Sequence, residues 1–318
     1  MRELFQPYEI FNSGFLDVGS GHQIYFEESG NTSGIPVVYV NGGPGGYSKP
    51  SHRQIFDPTK YHVIEFDQRG CGKSKFTELL TSNTTQDLVE DMEKLRLHLN
   101  LDKWIIKGSS WGSALGLAYA VEYPQSVKAI LVSGIFLARK IDNDFIYYFG
   151  SNQCFPEGYK EFAEYFDINN PDDIVSKLKS KVYRDDVNLA YEASEVMGNY
   201  EHLISSLGPQ IRGQDVSETQ ITSEDKVKSI NSAKIFLHYW ENDYFLSEDY
   251  ILDNASKLKN IPAVIIQGRY DLVCPYINAW NLHKSWPEAN FVVTIAGHYY
   301  MDKENLEKTL EFTEKFSN

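Results

Sequence analysis

The sequence predicts an α/β protein built on one mostly parallel sheet, and three observations support this. Short, continuous apolar runs recur along the chain, helix-like segments alternate with them, and one long central interval lacks such runs. Continuous apolar runs suit strands that are buried on both faces. Their alternation with helices is typical of a parallel sheet. We therefore expect a mostly parallel sheet with flanking helices and a helical insertion.

The elements follow in chain order. A hairpin is expected first, because two alternating segments within residues 15–28 flank the glycine-rich turn at 19–21. Buried strands are then predicted at residues 36–40, 62–66, 104–106, 129–132, 263–266 and 291–295. Helices are predicted at residues 84–99, 113–122 and 301–316. The first of these helices carries Leu88, Met92 and Leu95 at helical spacing.

The central interval, residues 135–249, is interpreted as a helical insertion. It lacks buried-strand runs and contains a dense group of aromatic residues between 145 and 166. A separate second domain is the alternative, but strand-like runs resume at residue 263 and are expected to complete the same sheet. The chain is accordingly divided into a core of residues 1–134, the insertion, and a second core part of residues 250–318.

Composition excludes several classes of protein. The 318 residues include 30 Lys and Arg against 44 Asp and Glu, a formal charge of −14, which makes nucleic acid or an anionic membrane an unfavourable partner. Cys71, Cys154 and Cys274 form no CxxC pair, which argues against a disulfide framework or a cysteine-rich zinc site. No apolar run has the length of a membrane span, and Glu3 and Pro7 interrupt the start where a signal peptide would be apolar. We expect a cytoplasmic protein.

Ser110 is the candidate nucleophile. Residues 108–112 read GSSWG, which fits the G-x-S-x-G pattern, and they lie between a predicted strand and a predicted helix. A nucleophile elbow holds its serine in a strained turn, so small residues are needed two positions before and after it. The five-residue pattern by itself is common in loops, and its position between strand and helix is what favours the elbow.

Asp271 and His298 are the matching acid and base. Asp271 follows the strand at residues 263–267 and His298 follows the last predicted strand, so both are expected at the same sheet edge as Ser110. The chain order Ser, Asp, His is the one that accompanies this kind of elbow. His98 and His283, by contrast, lie within helical patterns.

A glycine-rich loop supplies candidate donors for an oxyanion. Residues 41–46 read NGGPGG and follow the strand at 36–40. The backbone N–H groups of Gly43 and Trp111 are the expected pair, because Trp111 directly follows the nucleophile. A tight turn that needs glycine only for its backbone angles is the alternative.

Six segments together resemble prolyl aminopeptidases (proline iminopeptidases) of the α/β-hydrolase fold. They are NGGPGG at 41–46, DQRGCGKS at 67–74, GSSWG at 108–112, GIF at 134–136, ENDYF at 241–245 and GRYD at 268–271. The resemblance runs from about residue 11 to residue 298. It implies a helical cap over the active site, no metal or organic cofactor, and release of N-terminal proline from small peptides.

The resemblance also implies substrate-binding residues. Glu241 and Glu195 correspond to cap glutamates that hold the free amino end of the peptide, where Glu195 falls at the place of a usual Trp-Glu pair. A carboxylate is a suitable partner for a cationic amine. Phe136 and Tyr147 correspond to aromatic residues of the proline pocket. The alternatives are a solvated helix face for Glu195, a structural role for Glu241, and simple cap packing for the two aromatic residues.

Four positions depart from the family pattern. Asn41 replaces a histidine, Ser133 an arginine, Ser194 a tryptophan and Asp243 a histidine. They leave the predicted triad intact and open the acyl specificity to residues other than proline. An esterase, lactonase or small-molecule amidase with the same triad is therefore the nearer alternative function, and a non-enzymatic ligand-binding protein is the more distant one.

Overall fold

One sheet organises the protein. The computed structural model describes residues 3–205, 207 and 221–317. The strands are β1 (Ile10–Gly19), β2 (His22–Gly30), β3 (Ile35–Val40), β4 (Tyr61–Asp67), β5 (Lys75–Phe76), β6 (Trp104–Ser110), β7 (Val127–Ile135), β8 (Ala263–Gly268) and β9 (Asn290–Thr294). Their order is β1-β2-β4-β3-β6-β7-β8-β9, with β5 beside β2. Along this order, neighbouring strands from β4 through β3 to β9 pair in parallel. The pairs that β2 forms with β1, β4 and β5 are antiparallel. The predicted hairpin and mostly parallel sheet are confirmed.

The helices flank this sheet and fill the central interval. They are α1 (Pro50–Arg53), α2 (Thr85–His98), α3 (Trp111–Glu122), α4 (Lys140–Asp144), α5 (Ser151–Cys154), α6 (Pro156–Phe166), α7 (Ile174–Val182), α8 (Val187–Ser205), α9 (Ser223–Glu241), α10 (Tyr250–Asn254), α11 (Tyr276–Ser285) and α12 (Lys303–Phe316). The three helices predicted from the sequence correspond to α2, α3 and α12, with ends that differ by one or two residues. Thr84 caps α2 by accepting from the backbone N–H of Asp87.

Burial on both faces explains the continuous apolar runs. In β3, Val38 and Val40 pack into one apolar cluster, whereas Val37 and Tyr39 pack into another. Successive side chains of a strand point to opposite faces, so a strand covered on both sides needs apolar residues at every position. Parallel pairing through β3, β6, β7, β8 and β9 brings the carboxyl ends of these strands to one edge of the sheet.

Between β7 and β8, the described residues form helices and turns but no strand. Aromatic side chains hold this part together: the Tyr147 and Tyr200 rings both pack against Phe162, with centroids 5.6 and 5.0 Å away. The division of the chain at residues 135 and 249 stays a prediction. Among the described residues, no helix combines the length and the apolar character needed to cross a membrane.

Candidate active site

Ser110 lies in a strained turn where β6 passes into α3. Its backbone angles, φ 58° and ψ −132°, are unusual for a residue with a side chain. A Cβ atom at Gly108 would lie 2.1 Å from the carbonyl oxygen of Gly112, and one at Gly112 would lie 2.1 Å from that of Val40. Only glycine fits at either position. The local backbone therefore has the shape that the sequence pattern predicts for a nucleophile elbow.

Asp271 and His298 lie together at the same sheet edge. His298 Nδ1 is 2.9 Å from Asp271 Oδ2, so the ring N–H can donate to the carboxylate. Asp271 is buried, and its Oδ1 accepts from the backbone N–H groups of Val273, at 2.9 Å, and Cys274, at 2.7 Å. Gln267 Nε2 donates to Oδ2 at 3.1 Å. These bonds fix the carboxylate against His298, and sequence reasoning did not single out Gln267.

Electrostatics favour the protonated form of His298. Burial by itself lowers the pKa of this imidazole, but the nearby negative charge of Asp271, its hydrogen bond and the charge of Glu201 outweigh burial, so the pKa is raised above its usual value. The backbone N–H of His298 also donates to the carbonyl oxygen of Ser205, at 2.7 Å. Since Ser205 is the last residue of α8, this helix holds the loop that carries the imidazole.

A cavity of about 430 Å³ joins these residues to the helical part of the chain. Its lining includes Gly43, Ser110 and His298 from the strand ends, and Tyr147, Glu195 and Glu201 from the helices. A mostly apolar cleft with a few convergent polar groups is typical of a ligand site. Within the described residues, no three His, Cys, Asp or Glu side chains are grouped so that they could hold a metal ion.

The glycine-rich loop borders the serine directly. A Cβ atom at Gly42 would lie 3.5 Å from Ser110 Cβ, and the next residue, Gly43, has a positive φ of 117°. Trp111 begins α3, where the first N–H groups of a helix lack intrahelical acceptors. Its ring is fully buried, and its Nε1 donates to Gln68 Oε1 at 3.0 Å. Gly43 and Trp111 thus flank Ser110 from two sides.

The structure places the two aromatic residues predicted for the proline pocket in different environments. Tyr147 lines the cavity, and its ring stacks on Trp240 with centroids 4.8 Å apart. Phe136 does not contribute to the described cavity lining. Its ring is buried edge-on against Tyr244 at 5.0 Å, because it follows directly on β7 and lies in the core. The sequence did not distinguish these two environments.

The two predicted carboxylates are separated as well. Glu195 lines the cavity and accepts from the Ser229 hydroxyl at 3.0 Å. Glu241 lies outside the described cavity lining, with its side chain 47% exposed and paired to Lys179 Nζ at 2.6 Å. The structure thus places Glu241 outside the described cavity lining, away from the place that the resemblance implies, and its role in binding stays a prediction.

Helix geometry explains why Glu241 lies outside the described cavity lining. The cavity-facing residues of α9 include Ser229, Ser232 and Phe236, at spacings of three and four. The next position of this row is 240, and Glu241 is one residue further, about 100° around the helix. Its carboxylate therefore points away from the row that faces the cavity.

Glu201 is the carboxylate that sequence reasoning missed. It lies on α8, lines the cavity, and interacts electrostatically with His298. Its side chain is exposed, yet desolvation by the surrounding protein raises the pKa of the carboxyl, which the positive charges of His298 and His202 partly oppose. The available signal was its neighbour Tyr200, since an aromatic residue followed by glutamate matches the expected Trp-Glu pair better than Ser194 and Glu195 do.

The four departures from the family pattern lie in different places. Asn41 and Ser194 line the cavity, whereas Asp243 lies in an exposed turn. Ser133 is buried on β7, and its hydroxyl accepts from Lys107 Nζ at 2.9 Å. Burial lowers the pKa of Lys107 to about 7. Two of the four changes therefore alter the cavity wall itself.

Comparison with known proteins agrees with this arrangement. A family model described as alpha/beta hydrolase fold matches residues 35–304. A proline iminopeptidase of Arabidopsis thaliana is 40% identical over 93% of this chain and 77% of its own length. A proline iminopeptidase of Neisseria gonorrhoeae is 38% identical over 95% of this chain and 94% of its own.

Solved structures agree with the fold. An α/β fold family hydrolase from Bacillus anthracis superimposes with a TM-score of 0.65 at 19% identity, covering 96% of this chain and 99% of its own. An esterase from Exiguobacterium antarcticum gives a TM-score of 0.65 at 21% identity, covering 95% and 98%. At these identities the likeness concerns the fold alone, whereas the sequence relatives are similar over nearly the whole chain. The chain belongs to the proline iminopeptidase family of the α/β-hydrolase fold.

Proposed function

We propose that the protein is a serine aminopeptidase that releases an N-terminal residue, proline in particular, from small peptides. The observation that carries the proposal is the shared cavity, in which the strained Ser110, the His298–Asp271 pair and the Glu201 carboxylate meet. A nucleophile, a base with its orienting acid, and a partner for a cationic amine are the groups that this reaction needs.

In this mechanism, the bond from Nδ1 to Asp271 leaves Nε2 of His298 as the basic nitrogen. Nε2 takes the proton of the Ser110 hydroxyl, and the oxygen attacks the carbonyl carbon of the N-terminal residue. The N–H groups of Gly43 and Trp111 stabilise the oxyanion. His298 then protonates the leaving amine, and water, activated by the same imidazole, hydrolyses the acyl-enzyme.

Glu201 and Glu195 bind the free amino end in this proposal. Both line the cavity from α8, and an acceptor-only carboxylate in the cavity lining is a suitable partner for the cationic amine of the substrate. Tyr147 provides an apolar wall for the proline ring. Glu241 has no part in the binding, since it is paired to Lys179.

A substrate panel tests the proposal. Arylamides of proline and alanine, their N-acetylated forms and a simple aryl ester would be compared by kcat/KM. We expect the free prolyl arylamide to be the best amide substrate and N-acetylation to lower kcat/KM about 10- to 150-fold, the value of a charge-assisted hydrogen bond. Equal rates on free and blocked amides would overturn the aminopeptidase proposal. Activity on the ester alone would favour the esterase alternative.

A further inference from the structure

The cavity is lined by side chains of opposite charge. Glu195 and Glu201 line it on the helical side, whereas Lys49 lines it on the side of the sheet. Ser110 and His298 belong to the same lining. A cavity whose lining has both acidic and basic groups is complementary to a molecule that carries an ammonium group at one end and a carboxylate at the other.

Lys49 is available for such a ligand. It directly precedes α1, and its side chain is exposed. The ion pairs formed among the described residues do not include it. The neighbouring Lys73, by contrast, lies near Glu27, at 3.7 Å. Lys49 therefore adds a positive charge to the cavity wall, and no described carboxylate forms an ion pair with it.

His52 adds a hydrogen-bond donor beside it. The backbone N–H of Lys49 is 3.3 Å from His52 Nδ1 and can donate to it, an arrangement that puts the ring proton of the neutral imidazole on Nε2. The buried Glu65 carboxyl lies 3.7 Å from the same Nδ1 atom. Burial, together with the positive charges of Lys49, Lys107 and Arg53, lowers the pKa of the imidazole to about 3. The ring is therefore neutral at physiological pH. It stacks on Tyr39 at 4.3 Å, which fixes its plane in the cavity wall.

The part of the cavity lining around Lys49 and His52 lies next to His298, the residue that protonates the leaving amine in the proposed mechanism. Tyr300 lies two residues after His298 and lines the cavity with His52, whose ring it meets at 6.0 Å. The Tyr300 hydroxyl is 3.2 Å from the hydroxyl of Ser51, the residue before His52. The loop after β9 and the start of α1 thus form one surface next to His298. In an aminopeptidase, the part of the peptide that leaves must lie on the side of the base that protonates it.

We propose that Lys49 and His52 bind the C-terminal carboxylate of the substrate, so that the enzyme prefers very short peptides with a free carboxyl end. This inference rests on the proposed aminopeptidase function and specifies its substrate class. One residue spans about 3.5 Å, so a dipeptide or tripeptide places its carboxylate one or two residue lengths beyond the scissile bond. Lys49 attracts that carboxylate as a point charge, and the Nε2–H of His52 donates to it.

The test compares three substrates: prolylalanine, its C-terminal amide, and prolyl arylamide, whose leaving group has no charge. Wild type should cleave the free dipeptide about tenfold better in kcat/KM than the amide, with the difference mostly in KM. Lys49→Gln should lose about tenfold on the free dipeptide, at most about twofold on the arylamide, and nearly all discrimination between dipeptide and amide. Lys49→Arg should retain most of the discrimination, because it keeps the charge.

Lys284→Gln is the matched control. Lys284 is an exposed residue of α11 outside the cavity lining, and its substitution changes the net charge by the same amount. It should leave the discrimination unchanged, whereas added salt should reduce the discrimination of wild type.

Two results would overturn the inference while the proposed function stands. One is equal cleavage of the dipeptide and its amide by wild type, and the other is a Lys49→Gln variant that slows all three substrates alike. A wild-type enzyme that cleaves none of the three would instead overturn the aminopeptidase function, and the carboxylate site with it.

Discussion

The cavity has a sheet wall, which includes Ser110 and His298 at the strand ends, and a helical wall, which includes Glu195 and Glu201. The two walls hold their functional groups in different ways. On the sheet side, Asp271 is 3% exposed and accepts bonds from two backbone N–H groups, a glutamine amide and the imidazole of His298. On the helical side, Glu195 keeps an exposed side chain, which accepts from the Ser229 hydroxyl and interacts with the Tyr191 hydroxyl, with no backbone N–H donor among the described residues. A group held by several buried bonds has one position, whereas a group on a helix surface can adjust. We infer that the sheet wall determines the reaction and that the helical wall determines how the free amino end of the substrate is bound.

The two walls are nevertheless connected. The carbonyl oxygen of Ser205 accepts from the backbone N–H groups of both His298 and Tyr299, at 2.7 and 2.8 Å. From the other side, the Ser232 hydroxyl of α9 donates to the carbonyl oxygen of Gly45 at 2.7 Å. The helices that present the selectivity groups therefore contact both the loop of the base and the glycine-rich loop.

The largest expected effect comes from the sheet wall. Ser110→Ala should lower kcat by at least about 10³-fold and up to about 10⁶-fold, because it removes the proposed nucleophile and leaves only binding and oxyanion stabilisation. A fluorophosphonate probe should label wild type and leave the variant unlabelled, while the thermal unfolding midpoint stays near that of wild type. Labelling of the variant on another residue would contradict the assignment.

Asp271→Asn should have the next largest effect. The amide keeps the shape but can donate to Nδ1, which favours the wrong imidazole tautomer, so kcat should fall by up to about 10⁴-fold. The measurement is kcat on prolyl arylamide with circular dichroism to verify folding. Near-normal turnover would show that another acid orients His298.

The positions of residues at the strand ends were predictable from the sequence, because the burial pattern identifies the strands and parallel pairing aligns their ends. Parallel strands that are buried on both faces bring their carboxyl ends to one edge, so the proximity of Asp271 to His298 followed from position alone. The orientation of helical side chains was not predictable in the same way. Glu201 follows the buried Tyr200, whereas Glu241 lies one residue past the row that faces the cavity. Which face of a helix meets the site depends on packing among several helices, and the aromatic residue before Glu201 is the one local signal that pointed to it.

A smaller effect is expected from the helical wall. Glu201→Gln should lower kcat/KM on free aminoacyl arylamides about 10- to 150-fold by removing one charge-assisted bond to the substrate amine. The aryl ester, which lacks the amine, should be nearly unaffected. Glu241→Gln is the control, because Glu241 is paired to Lys179 outside the described cavity lining, and it should change neither substrate appreciably. A loss confined to Glu241→Gln would restore the earlier, sequence-based assignment.

The smallest effect, and the one that tests the coupling between the walls, is a shift in pH dependence. A general base must be deprotonated, so kcat/KM falls as the pH drops through the pKa of His298, which Asp271 and Glu201 hold above its usual value. Removing the charge of Glu201 takes away one cause of that elevation. The acidic limb of the profile should therefore move to lower pH in Glu201→Gln.

The aryl ester is the substrate for this measurement, because it has no amine whose own titration or binding would change the profile. Glu241→Gln provides the reference, since Glu241 lies outside the described cavity lining and is paired to Lys179. An acidic limb at the same pH in Glu201→Gln and wild type would show that the helical wall does not influence the base electrostatically. The backbone bonds from His298 and Tyr299 to Ser205 would still connect α8 to the loop of the base.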